Sequence, residues 1–242
     1  MLFLLISHLH LYMEPTTKIN DQIIESMFKA GAHYGYTKAR RHPSTKSAIY
    51  GVKNRVEIID LEKTKAQLDE VKKFVATLAK DGKQILFVSS KNEAKEALRT
   101  HALSLGMPYV AGRWIGGTLT NWTEIRKRVE KYLDLQTQKE KGELGKYTKK
   151  ERLMIDRQIV NLEDMFSGIV HLRGMPAALF VIDPKQEEIA VKEALQMKIP
   201  VIALANTDCN IGNIEYPMVG NDARRQSVSL FIEEVAESYN TK

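Results

Sequence analysis

The sequence predicts an α/β domain built on a parallel sheet with helices on both faces, interrupted once by a pair of long helices. Three features of the chain predict this. Short runs rich in apolar and β-branched residues recur at VEIID (56–60), QILFV (84–88), PYVAG (108–112), ALFVID (178–183) and PVIALAN (200–206), the composition of buried strands. Most of them are separated by segments whose apolar residues repeat at three- and four-residue steps, so strand and helix alternate and the functional loops fall at the strands' C-terminal ends. Between Trp122 and Phe166 the strands stop while the helical spacing continues.

The 242 residues, 43% of them hydrophobic, suffice for one large core or for a core plus an insertion. A net charge of +6 and a pI near 9.2 favour an anionic partner without naming it. The single cysteine, Cys209, excludes an internal disulfide framework and a cysteine-type zinc finger, and suits a reducing compartment.

The opening MLFLLISHLHLY is apolar but too short to cross a bilayer, and it has neither the basic start nor the cleavage site of a secretory signal. Residues 1–17 are expected to be a disordered extension, of which residues 1–12, ahead of Met13, are either part of it or an upstream start, with the fold beginning near Lys18. From Asn20 to Ala30, Ile23, Ile24, Met27 and Phe28 share one face of a short helix that Gly31 ends. The next segment places Lys38, Arg40, Arg41 and Lys46 among Tyr34, Tyr36 and His42 with no acidic residue between Tyr34 and Lys46. Cations with aromatics on a loop suit phosphate contact and base or sugar stacking.

VEIID leads into a long amphipathic helix with Leu61, Leu68, Val71, Val75 and Leu78 on its apolar side, the first strand–helix unit. QILFV and the helix closed by Gly106 form the second, and PYVAG runs directly into GRWIGGTLTN (112–121). There the glycines free the backbone, Arg113 and Trp114 offer a guanidinium and an indole, and Thr118, Thr120 and Asn121 are candidate caps for the following helix. Trp114 is expected to brace this junction more than Arg113 does.

Trp122, Ile125, Val129 and Tyr132, then Ile155, Ile159, Leu162 and Phe166, describe an antiparallel helical hairpin whose second helix opens with a Thr148–Glu151 capping box. Residues 121–160 hold eleven Lys and Arg against seven Asp and Glu, so much of the excess charge lies here. The division expected is an α/β domain from residues 18–118 and 167–242, with 119–166 as the inserted hairpin. After the last strands, GNDARRQ opens a final helix. Arg224 and Arg225 oppose the helix dipole in its first turn, which an external anion would relieve.

No phosphate-cradling loop, dinucleotide fingerprint or nucleophile elbow occurs, so no catalytic residue and no cofactor is assigned. Asp183 and Asp208 could pair as acid and base, or hold a metal with His33, but strand-end aspartates more often cap turns. Cys209 has no cationic neighbour in sequence to activate it. On the residues alone, a doubly wound domain binding a sugar phosphate or nucleotide stays open beside an RNA-bound protein.

The blocks AGAHYGYTKARRHP, IIDLEKT, GRWIGGTLTN, LFVIDP, IAVKEA, IPVIALANTDCN and YPMVGNDA, in this order, resemble the bacterial small-subunit ribosomal protein 2 family from about Ile19 to Tyr239. The resemblance implies a flavodoxin-like three-layer domain with a five-stranded parallel sheet and a helical hairpin, or coiled-coil, insertion. It implies a non-enzymatic, ribosome-bound cytoplasmic protein that binds small-subunit ribosomal RNA on the solvent side between head and body and helps dock small-subunit protein one. By motif position it places Lys38, Arg40, Arg41, Lys46, Arg113, Trp114, Asn221, Arg224 and Arg225 at or near RNA. No membrane, small-molecule substrate or metal is expected. Zinc is associated with some members, but Tyr36 stands here where many have a second histidine, and His42 and Asn206 are further departures.

Overall fold

The computed structural model describes residues 22–240; the N-terminal extension expected over residues 1–17 lies outside them. Five strands form the central sheet: β4 (Ile85–Val88), β5 (Tyr109–Val110), β6 (Ala178–Ile182), β7 (Val201–Ala205) and β8 (Tyr216–Val219). All pair in parallel, in the order β5-β4-β6-β7-β8. The chain thus runs outward from β4 to β5, then crosses back so that β6 lies on the other side of β4. Between β4 and β6 the winding reverses.

Alternate residues of each central strand enter different cores, as the period of two requires. Ile85, Phe87, Phe180, Ile202 and Leu204 join one cluster with Leu68, Val71 and Val75 of α2 (Leu61–Lys80), Leu98 of α3 (Asn92–Ser104) and Phe231 of α7 (Arg225–Asn240). Leu86, Val88, Leu179, Val181 and Ala203 join the other, with Ala190 and Ala194 of α6 (Glu188–Gln196). Helices on both faces make three layers. The short helix α1 (Gln22–Ala30) packs on α2 and α7, burying Met27.

The second core also receives Ile125, Val129 and Tyr132 of α4 (Trp122–Glu140) and Ile159, Leu162 and Phe166 of α5 (Lys149–Phe166). These residues give the two helices a common footing on the sheet. The helices pack on each other, and Lys139 pairs with Asp156 at 2.7 Å. Thr148 and Glu151 form the expected capping box.

The sheet contains five strands, but not the five expected. Val56–Ile59 (β3) instead pairs antiparallel with Tyr34–Thr37 (β1) and Ile49–Lys53 (β2) in a small separate sheet. Its place in the parallel sheet is taken by β8 at the far edge, where Pro217 loses no ladder donor that a neighbour needs. The small sheet is tied to the main one through Ala48, Ile59 and Val219. Among the described residues, no helix is long and apolar enough to cross a membrane.

Candidate nucleic-acid interface

The C-terminal ends of the parallel strands gather most of the residues expected to bind. The segment after β1 reaches this edge by wrapping around Thr207, just beyond β7. Tyr36 N donates to Thr207 Oγ1 at 2.9 Å, while the Thr207 carbonyl accepts from His42 N and Thr45 Oγ1, each at 2.8 Å. A side chain at Gly35 would place its Cβ 2.6 Å from Thr207 Cγ2, so only glycine allows this approach. Lys38, Arg40 and Lys46 are left exposed, Arg40 5.5 Å above the Tyr36 ring. Arg41 behaves differently: its Nη1 lies 3.1 Å from Oε1 of the buried Glu57. It is half-buried and turned to an internal carboxylate.

The junction 112–121 is organised by one buried carboxylate on α6. Glu193 Oε1 accepts from Trp114 Nε1 at 3.1 Å and Gly117 N at 2.8 Å. Its Oε2 accepts from Leu119 N at 3.0 Å and from both the N and Oγ1 of Thr120 at 3.1 Å. Burial opposes the charge on Glu193, but these donors outweigh it and hold the carboxyl below its ordinary value. Gly117, at φ 92°, turns its amide inward, a conformation a side chain would strain. The cap expectation fails in a definite way. Thr120 Oγ1 serves Glu193, Thr118 Oγ1 donates to the Ile115 carbonyl, and Asn121 makes no side-chain cap for α4. Trp114 is buried as the brace, and Arg113 is exposed beside a cleft of about 460 Å³ shared with Lys95 and Gln186.

At the winding reversal, where doubly wound sheets take their ligands, an ion cluster occupies part of the crevice, and the cleft beside Arg113 opens next to it between Ser90, Gln186 and Glu187. Lys91 Nζ sits 2.7 Å from Oδ2 of both Asp183 and Asp222. Asp222 also accepts from Asn206 Nδ2 at 2.8 Å. Burial disfavours the Lys91 charge, but Asp222 and Asp183 override it and raise its pKa. Asp222 is raised too: it is deeply buried, and one ammonium serves two carboxylates. Glu187, whose N donates to the Asp183 carbonyl at 3.1 Å, accepts from Ser90 N at 2.8 Å and from the Ser90 hydroxyl.

Asp183, Cys209 and Asp222 bring ligand atoms within 4.8 Å of one another, yet the residues do not fit a metal. Lys91 already holds the cation position between the two carboxylates. Burial and the carboxylates Asp183, Asp222 and Asp208 push the Cys209 thiol far up, and burial with Asp222 raises the Tyr36 phenol. Asp208 pairs with Lys185 at 2.8 Å, and Asp183 Oδ1 accepts from Lys185 N and Gln186 N at 3.2 Å as a turn cap. His33 lines a different groove, stacked on Phe28 at 4.5 Å.

Beyond β8, Asn221 is buried and turned inward: its Nδ2 donates to the Gly31 carbonyl at 3.0 Å and its Oδ1 accepts from Ala223 N at 3.0 Å. Arg224 and Arg225 are exposed. Arg224 donates to Gln226 at 2.6 Å, and Arg225 stands 3.4 Å from the exposed Glu96. The edge therefore presents Lys38, Arg40, Lys46, Arg113, Arg224 and Arg225 outward, while Arg41, Trp114 and Asn221 turn inward to Glu57, Glu193 and the Gly31 carbonyl.

The chain is similar to known proteins over most of its length. The family described as ribosomal protein S2 matches residues 27–241. A small ribosomal subunit protein uS2 from Nitratiruptor sp. is 40% identical over 215 residues, 89% of this chain and 80% of that protein. The uS2 proteins of Hahella chejuensis and Karelsulcia muelleri are 39% and 37% identical, over 91% and 90% of this chain and 87% and 98% of theirs.

Proposed function

The chain belongs to the ribosomal protein S2 family, structural proteins of the small ribosomal subunit, and on that premise we propose that it binds small-subunit ribosomal RNA through the C-terminal edge of its parallel sheet. The supporting observation is the set of exposed cations, Lys38, Arg40, Lys46, Arg113, Arg224 and Arg225, carried there by three separate loops. Each cation placed on a phosphate releases condensed counterions, so affinity falls with salt, while the loop backbone fixes orientation on the folded RNA. Arg41, Trp114 and Asn221 act behind this surface.

In this reading the domain is flavodoxin-like, formed by residues 18–118 and 167–242, and residues 119–166 are an inserted coiled-coil arm. The protein works in the cytoplasm, peripherally on the subunit between head and body, alongside other small-subunit proteins, and helps dock protein one. Sedimentation tests the RNA contact. At physiological salt and magnesium the protein is expected to travel with small subunits through a sucrose gradient, and Lys38→Ala with Arg40→Ala to weaken association about ten-fold or more. Wild-type protein left at the top of the gradient would sink the proposal.

A further inference from the structure

At the opposite edge, where the parallel strands begin, an open cleft of about 550 Å³ lies at the root of α4 and α5. Trp122 and Arg126 of α4 line it together with His171 and Arg173 of the segment that enters β6. Gln84 holds that segment in place: its Oε1 accepts from Arg173 N at 3.1 Å and its Nε2 donates to the His171 carbonyl at 3.0 Å. Trp122 is only half-buried against the second core, so part of its indole faces the cleft. Arg126 is exposed and turned to Glu130 at 3.1 Å. Arg173 is exposed and forms no ion pair among the described residues.

The cleft does not end there. Gln84 and Arg173 also line an adjoining groove of about 690 Å³ that continues to Lys83 and Lys198. Cations at this edge have an ordinary reason to exist, because helices α2 and α6 end here and their free carbonyls attract positive charge. Lys83 and Lys198 follow those ends, and Lys83 already faces Asp81 at 3.3 Å. That reason extends to Arg173, because Gly106 at the end of α3 lines the same cleft, but not to Trp122, which is uncharged and opens its helix.

We propose that the cleft receives an unstacked nucleotide of single-stranded RNA, its base against Trp122 and its flanking phosphates on Arg173 and Lys198. A half-exposed indole beside a guanidinium that has no carboxylate is a stacking platform with a phosphate contact, and any base has a π-face to offer it. An acidic peptide would use the cations but has no need of the indole. The inference rests on the ribosomal reading above and adds a second RNA-facing edge, so that the protein would join two RNA segments rather than sit on one.

The test uses the full chain and a fluorescently labelled ten-nucleotide oligouridylate in low salt, read by anisotropy and by tryptophan emission. Of the two tryptophans, Trp114 is buried on Glu193, so quenching by RNA reports Trp122. Saturable quenching is expected, Arg173→Ala should weaken binding about ten-fold, and Trp122→Leu should do likewise while Trp122→Phe keeps most of the affinity. Because Arg173 is exposed, its variant carries the test even if Trp122→Leu fails to fold. Wild-type affinity in Arg173→Ala, unchanged emission on adding RNA, or equal displacement by decaglutamate overturns the cleft. Subunit association is measured on the same proteins: if wild type sediments with subunits while Arg173→Ala binds the oligonucleotide normally, only this inference falls. If wild type fails to associate at all, both fall.

Discussion

Glu193 and Asp222 are both buried carboxylates, one on α6 and one just beyond β8, and their surroundings treat them in opposite ways. Glu193 meets five donors that carry no formal charge, three of them backbone amides of a glycine-containing loop. Asp222 meets a full positive charge, but shares it with Asp183. The first carboxyl is held below its ordinary value and the second above it. Asp222 is the more deeply buried and shares its one ammonium with a second carboxylate, so desolvation prevails there, whereas at the less buried Glu193 the hydrogen bonds prevail. The two nodes also do different work. Glu193 shapes the loop that carries Arg113, whereas Lys91 with its two aspartates ties together the loops that follow β4, β6 and β8.

Removing the shared ammonium gives the largest expected effect. Lys91→Met would leave two carboxylates facing each other with no cation, a change that typically costs about 3–5 kcal/mol, or a melting temperature lower by about 6–20 °C for a chain of this size. Calorimetry checks it, and a loss below about 1 kcal/mol would show that water reaches the pair. Glu193→Gln should cost somewhat less, about 3 kcal/mol. The amide keeps one acceptor oxygen but turns a donor toward either the Leu119 and Thr120 pair or the Trp114 and Gly117 pair. A variant as stable as wild type would mean that the loop has another conformation of equal energy.

The two nodes were not equally legible in the sequence. The strand cores follow from apolar runs and the capping box from its Thr–Glu spacing, and both are present. β8 is not legible because its four residues include a proline, and the pairing of β3 is not legible because a short apolar run does not state its partner. The outward cations of the basic loop could be read from their spacing, but the inward turns of Arg41 and Asn221 depend on Glu57 and the Gly31 carbonyl, which lie 16 and 190 residues away. Glu193 left one local trace: it shares the stripe of α6 with the buried Ala190 and Ala194, and a carboxylate on an apolar stripe announces a partner without naming it. Nothing in the segments around Lys91, Asp183 and Asp222 shows that they meet.

Titration separates the nodes further, with a smaller effect. Glu193 has a folded value below its unfolded one, so the unfolded chain binds more protons in that window. Its contribution is fully present above the ordinary glutamate value and is lost as pH falls through the folded value. Asp222 has the reverse sign. Its folded value is raised, so acidification through the window just above the ordinary aspartate value favours the fold. Melting temperatures recorded between about pH 3 and 6 should therefore fall less steeply on the acid side in Glu193→Gln than in wild type. An acid limb of equal slope would mean that the Glu193 charge is not what the five donors hold.

The smallest effect on stability is expected at Arg113, and it separates what Glu193 builds from what the built loop is for. Arg113 is exposed, while its neighbour Trp114 is anchored on Glu193. Arg113→Ala should therefore leave the fold within about 0.5 kcal/mol of wild type. If the guanidinium rests on a phosphate, the variant should bind small subunits more weakly and with a salt slope shallower by about 1. Lower affinity with an unchanged slope would place Arg113 on something other than a phosphate. Unchanged affinity would leave the junction as the footing of α4 and move the RNA contact wholly to the loops around Arg40 and Arg224.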